Sequence, residues 1–173
     1  KYNADALDTL AILYLAAGSN EAAVKIATRA LSVRESDQLT YTLAKANKNI
    51  GNYQFALDNY SKLLTKTPNS LEYLYEVAYA NINLKKLNEA LPHIKSIIDH
   101  PESGSEVMQE FISEGSQLVP FKAVAFNMLG FIQSTGGQQE AAVNSYQAAL
   151  QIYPKYYLAS NNLKVTREKM NVK

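Results

Sequence analysis

Asn49-Ile50-Gly51-Asn52-Tyr53-Gln54-Phe55-Ala56-Leu57-Asp58-Asn59-Tyr60 returns in altered form as Ser134-Thr135-Gly136-Gly137-Gln138-Gln139-Glu140-Ala141-Ala142-Val143-Asn144-Ser145-Tyr146. Eight residues after its closing tyrosine, each stretch meets a proline, Pro68 or Pro154. Self-similarity of this kind, helix then turn then helix, marks a repeat array. In such an array each unit buries its apolar face against its neighbours. A curved surface is left over, and surfaces of this kind bind other proteins.

Between the Gly, Pro and Asn punctuation, the segments have helical periodicity. Leu39, Leu43, Ala46 and Ile50 are spaced by three and four, which puts them on one helix face. Ala56, Tyr60, Leu63 and Leu64 repeat the pattern after the Gly51-Asn52 turn. Helices are expected near 4–17, 20–33, 37–50, 53–66, 70–84, 88–99, 121–135, 138–152 and 156–170, with ends uncertain by about two to four residues. No sustained period-two alternation is found, so no strand is expected.

The chain resembles the tetratricopeptide repeat family at this level of detail. The stretch 123–156 carries the pattern with Phe126, Leu129-Gly130, Ala142, Tyr146, Ala149 and Pro154. The stretch 37–70 follows it with Leu43-Ala44, Gly51, Tyr53, Ala56, Tyr60, Leu63 and Pro68. A first unit, 4–36, keeps Leu7, Leu10-Ala11, Tyr14, Gly18, Ala23, Ala30 and Leu31, but has Glu35 in place of the closing proline. A third, 71–100, keeps Leu74, Val77-Ala78, Ala90, Ile94 and Ile97, with Lys85 where the other turns have glycine. The helix from Tyr157 resembles a lone capping helix. The resemblance implies an all-α, right-handed superhelix of four repeats and a cap, forming a single array over 1–173.

The matching positions have physical roles of their own. Gly130, Ala44, Ala78 and Ala11 suit a close approach of two helices, and Ala56, Ala90, Ala142 and Ala23 suit the same approach from the second helix. Tyr60, Tyr146, Tyr53 and Phe126 are expected to fill wider gaps between layers. Gly18, Gly51 and Gly137 stand where a helix end calls for positive φ. Pro68 and Pro154 end one unit and pre-set φ for the next.

Composition narrows the function. The chain has 173 residues, 47% of them apolar, with a net charge of +1 and no cysteine. Such a balance steers it toward neither nucleic acid nor anionic lipid. Disulfide and thiolate chemistry are excluded. No apolar run reaches the roughly 20 residues that span a bilayer, so membrane insertion is not expected. The chain opens at Lys1 without a start methionine, which reads as a processed product or an excised piece in which any targeting segment would be invisible, so the compartment is left open.

Catalysis finds little support. His93 and His100 are the two histidines, seven residues apart around a helix end, with no cysteine and no acidic partner beside both. Asp5 and Asp8 lie on a polar helix face. Gly136-Gly137 has no following Lys-Ser or Lys-Thr, so no phosphate loop is present. The basic residues Lys164, Arg167, Lys169 and Lys173 read as a solvated helix end favoured by its dipole. No enzyme activity, metal or cofactor is expected.

In the family, a concave groove is lined by the outward face of each first helix. Carried over, that face holds Asp5, Asp8 and Ile12; Gln38, Tyr41, Lys45 and Lys48; Glu72, Tyr75, Tyr79 and Ile82; Asn127, Phe131 and Ser134; and Asn161. Tyr41, Lys45, Lys48, Tyr75, Tyr79, Asn127 and Phe131 are the candidate partner-binding residues. Aromatic side chains supply large contact area at low entropic cost. A subset of the family grips the free carboxylate of chaperone tails with basic side chains. This chain has Asp8, Thr42, Glu72 and Glu76 at those places; the three acidic side chains would repel a carboxylate and Thr42 offers no cation, so the chaperone-tail reading is rejected.

Pro101 to Lys122 break the period. The reading here is a short helix capped by Ser105 and running to about Glu114, with Val107, Met108, Phe111 and Ile112 on one face and Glu102, Glu106, Glu110 and Glu114 elsewhere. Its apolar face packs back on the array or forms a docking face. The function expected is an adaptor that binds a peptide or helical segment of a protein partner. The alternative is a structural or self-associating piece of a longer array with the groove idle.

Overall fold

The computed structural model describes residues 4–113 and 115–171; Lys1, Glu114 and Lys173, which entered the sequence reading, lie outside the described residues. The chain forms two compact units, Lys1–Lys86 and Leu87–Lys173. The first holds α1 (Ala4–Ala16), α2 (Asn20–Leu31), α3 (Asp37–Asn49), α4 (Tyr53–Lys66) and α5 (Leu71–Asn83). The second holds α6 (Leu87–Asp99), β1 (Val107–Ile112), β2 (Gly115–Pro120), α7 (Phe121–Thr135), α8 (Gln139–Ile152) and α9 (Tyr157–Asn171).

Helix starts and stops follow local chemistry. Ser36 caps α3 by accepting a hydrogen bond from the Leu39 N–H at 3.3 Å, and Ser70 caps α5 the same way from Tyr73. The first helices end in one repeated closure. After α3, Asn52 N–H donates to Asn47 C=O at 2.8 Å across Gly51, whose φ is +79°. Glycine adopts that left-handed backbone without a Cβ penalty. Gly18 and Gly137 close their turns alike, each followed by a bond spanning five residues. At the turn where glycine is missing, Lys85 takes the same conformation, with φ +62° and Lys86 N–H bonded to Asn81 C=O at 2.9 Å. The turn geometry is kept, at the expense of strain in a residue that has a Cβ.

In the first unit, Leu7, Ala11, Ala27, Ala30, Leu39 and Leu43 form one buried cluster. Ala44, Ala56, Tyr60, Leu63 and Val77 form another, with Tyr41 and Tyr73 packed against it. The alanines expected at close approaches are all buried. In the second unit α7 and α8 close on each other at Gly130. A Cβ built there would lie 2.6 Å from Cε1 of the buried Tyr146 ring. Ala142, Tyr146 and Leu163 continue that core to α9.

The insert corrects the sequence reading. Residues 107–112 and 115–120 are not a helix but an antiparallel hairpin, with Met108 opposite Val119 and Glu110 opposite Gln117. Ser105 caps nothing; its hydroxyl bonds back to Glu102 C=O at 3.0 Å. Both faces of β1 carry apolar side chains, so no alternation of polarity betrayed the strand. Gly115, at φ +136°, begins the return strand with a backbone that suits glycine alone. The hairpin is moored to its own unit. Val119 is fully buried. Gln117 donates to Lys155 C=O at 2.8 Å and accepts from the Tyr157 N–H at 3.1 Å.

Two outcomes test this packing. Gly130→Leu and Ala56→Leu should each lower stability by about 1–3 kcal/mol or more, because Gly130 has no room for a Cβ and the fully buried Ala56 would have to take a much larger side chain. Unchanged melting temperatures would refute the assigned close approaches. Lys85→Gly should raise stability by about 0.5–1 kcal/mol by relieving the left-handed lysine. A lower urea midpoint for that variant would show that Lys85 is not strained.

Candidate protein-binding surface

The first unit brings five of the seven candidate residues onto two helices. Tyr41, Lys45 and Lys48 follow one another on α3 at spacings of four and three, and Tyr75 and Tyr79 do so on α5, so each set lies on one helix face. All five side chains are half-buried, with neither the full burial of core nor the freedom of a solvated face.

Cross-helix bonds order them. The Tyr41 hydroxyl donates to Glu72 Oε1 at 2.5 Å. Lys45 Nζ donates to that hydroxyl at 3.2 Å and stands 5.4 Å from the centre of the Tyr41 ring. Lys48 Nζ pairs with Glu76 Oε1 at 2.5 Å and stands 5.7 Å from the Tyr79 ring centre. Tyr75 and Tyr79 stack with ring centres 5.8 Å apart. Behind them, Tyr53 meets Tyr79 edge-on at 6.2 Å, and Tyr60 meets Tyr41 edge-on at 6.1 Å.

The electrostatics follow from burial. Glu76 is 5% exposed, and burial lifts its carboxyl above the ordinary 4.5 while the Lys48 ammonium pulls it back. Its Oε2 and the fully buried Tyr60 hydroxyl have no hydrogen-bond partner among the described residues. Burial, then the bond to Glu72, raises the Tyr41 hydroxyl. Burial raises Tyr79 as well. Both hydroxyls therefore remain protonated, and able to donate, throughout the physiological range. Glu72 and Glu76 entered the sequence reading as repulsive charges; their pairing with Tyr41 and Lys48 is visible only once α3 and α5 are side by side.

The second unit holds the other two candidates. Asn127 is 8% exposed. Its Nδ2 donates to the Tyr156 hydroxyl at 3.4 Å and its Oδ1 accepts from Asn162 at 2.9 Å, so its polar atoms tie α7 toward α9. Phe131 is 41% exposed on α7. At the other end of the chain, Arg34 bridges Asp5, at 3.0 Å, and Asp8, which accounts for that acidic pair.

His93 is half-buried, which lowers its pKa. His100 Nδ1 accepts from the Glu102 N–H at 3.2 Å. Among the described residues no three His, Cys, Asp or Glu side chains are grouped to hold a metal ion. No helix among them is long and apolar enough to cross a membrane.

Comparison with known proteins places this geometry. Residues 123–156 match the model of the tetratricopeptide repeat family. MamA, residues 41 to the end, from Desulfovibrio magneticus RS-1 superposes with a TM-score of 0.76 at 19% identity, over 97% of this chain and 85% of that one. YrrB, described as a TPR protein with an unusual peptide-binding site, superposes with a TM-score of 0.77 at 20% identity, over 93% of this chain and 74% of that one. The first TPR of Spaghetti (RPAP3), bound to the HSP90 peptide SRMEEVD, gives 0.61 at 18% identity, over 78% and 93%. These likenesses show the fold. A sequence relative, the uncharacterized protein ycf37 of Pyropia yezoensis, is 55% identical over 38 residues, which are 22% of this chain and 21% of that protein. Residues 123–156 thus match a tetratricopeptide repeat, and the chain as a whole shares the fold of the tetratricopeptide-repeat structures it superposes on.

Proposed function

We propose that the chain is a non-catalytic adaptor whose first unit takes up a peptide or helical segment of a protein partner on the α3–α5 face. The observation that carries the reading is the row of half-buried tyrosines, Tyr41, Tyr75 and Tyr79, held by Glu72 and by the Lys48–Glu76 pair. Rings fixed in this way lose little side-chain entropy on binding, and aromatic residues dominate interface energetics. The peptide-binding site named for YrrB and the peptide bound to the RPAP3 repeat support the same use of the fold. Lys45 and Lys48 orient rings in this reading, and Phe131 offers a separate exposed aromatic on the second unit. Asn127 serves the scaffold. A chaperone-tail carboxylate is not the ligand proposed, because Glu72 and the buried Glu76 stand where its grip would need cations.

Panning a phage-displayed random peptide library against the full chain tests the reading. Enriched peptides should bind at least tenfold more weakly, about 1.4 kcal/mol, to Tyr75→Ala and to Tyr79→Ala, with the melting temperature kept within a few degrees. Enriched peptides indifferent to both changes would refute it.

The charge arrangement under that face gives a second outcome. Because folding raises the Glu76 carboxyl, the folded chain holds that proton more tightly than the unfolded chain does. The associated stability is complete below about pH 4.5 and is lost as pH rises through the folded value. Urea midpoints at about pH 4, 6 and 8 should therefore show wild type losing ground to Glu76→Gln as pH rises. A wild-type advantage that grows with pH would show that Lys48 outweighs burial.

A further inference from the structure

Among the described residues the hairpin of the second unit is a two-stranded sheet, so β1 has no strand on its outer side. Phe121 N–H donates to Glu106 C=O at 3.0 Å, which makes Glu106 and Phe121 a hydrogen-bonded pair of the register. Antiparallel ladders alternate bonded and non-bonded pairs. Met108, Glu110 and Ile112 therefore turn their backbone groups toward β2, and Val107, Gln109 and Phe111 turn theirs outward. The other edge is blunted, since β2 leans on α7 and ends in Pro120, which has no N–H. β1 carries no proline and no lysine.

Side chains at this edge point to the chemistry of its occupant. Phe111 is 78% exposed, Leu118 62% and Val107 48%, and the register sets all three on one face. The opposite face of β1 carries Glu110, and Glu106 continues it. The Glu110 carboxylate is half-buried and hydrogen-bonded to the Tyr156 side chain, and only its Oε2 has no hydrogen-bond partner among the described residues, while Glu106 is exposed. Across 101–122 the sequence has Glu102, Glu106, Glu110 and Glu114 against Lys122. A second copy of this strand would bring carboxylates to carboxylates. A strand alternating apolar and basic residues would set its apolar side chains beside Val107 and Phe111 and its cations on the glutamate face.

We infer that β1 is a docking edge for an extended basic–apolar segment of a protein partner, added as a third strand. Backbone bonds to Val107, Gln109 and Phe111 supply the affinity, and the glutamates select the basic sequence. This inference is independent of the α3–α5 face.

A fluorescent seven-residue peptide alternating lysine and valine, titrated into the full chain by anisotropy, is the probe. It should bind saturably, at least tenfold more tightly than the glutamate–valine analogue and than a version with N-methylated valines. Bound peptide should slow amide hydrogen exchange at Val107, Gln109 and Phe111. Gln109→Pro should weaken binding at least tenfold, and Tyr75→Ala should leave it unchanged. If Gln109→Pro unfolds the hairpin, the N-methylated peptide still reads the edge without altering the protein. The inference is overturned by absence of saturable binding, by equal binding of the N-methylated or acidic peptide, or by loss of binding in Tyr75→Ala. It is also overturned if sedimentation shows that the chain itself dimerises through β1, which would make a second copy the occupant.

Discussion

Two antiparallel helices close on each other only where one of them gives up its side chain, and the structure depends on that constraint. At Gly130 the space of a missing Cβ is filled by the Tyr146 ring. In the first unit Ala44 and Ala56 allow the same approach, and Tyr60 sinks beside them to full burial. Large side chains of the second helices are thereby taken into the layers. The outer face of the first helix is left to carry something else, and on α3 and α5 it carries tyrosines.

Those tyrosines are positioned by charge as much as by packing. A glutamate as buried as Glu76 is unfavourable unless paired, and Lys48 supplies the partner while also facing the Tyr79 ring. Glu72 fixes the Tyr41 hydroxyl and Lys45 lies over its ring. The face is thus ordered in the chain by itself, and in the proposed use that order limits the entropy lost on binding. Its ordered polar groups also explain why side chains that look like a solvated stripe along α3 and α5 are half-buried.

Much of the helical framework was legible in the residues, because it is written in local chemistry. Gly18, Gly51 and Gly137 mark helix ends that only a left-handed residue can close, and the spacing of Ala and Tyr sets the phase of the packed faces. Lys85 shows that the turn geometry outlasts the glycine that usually signals it. The hairpin was not legible, because Val107 to Ile112 presents apolar groups at helical as well as strand spacings and the pairing partner lies beyond the turn. Nor was the burial of Asn127, whose hydrogen-bond partners on and beside α9 are about thirty residues away in sequence.

Chemical-shift mapping of the isotopically labelled full chain with a panned peptide tests the central claim most directly. The account predicts perturbations concentrated on α3 and α5, with the Tyr41, Tyr75 and Tyr79 ring signals moving most. Perturbations confined to other elements, with those rings unmoved at saturation, would contradict it.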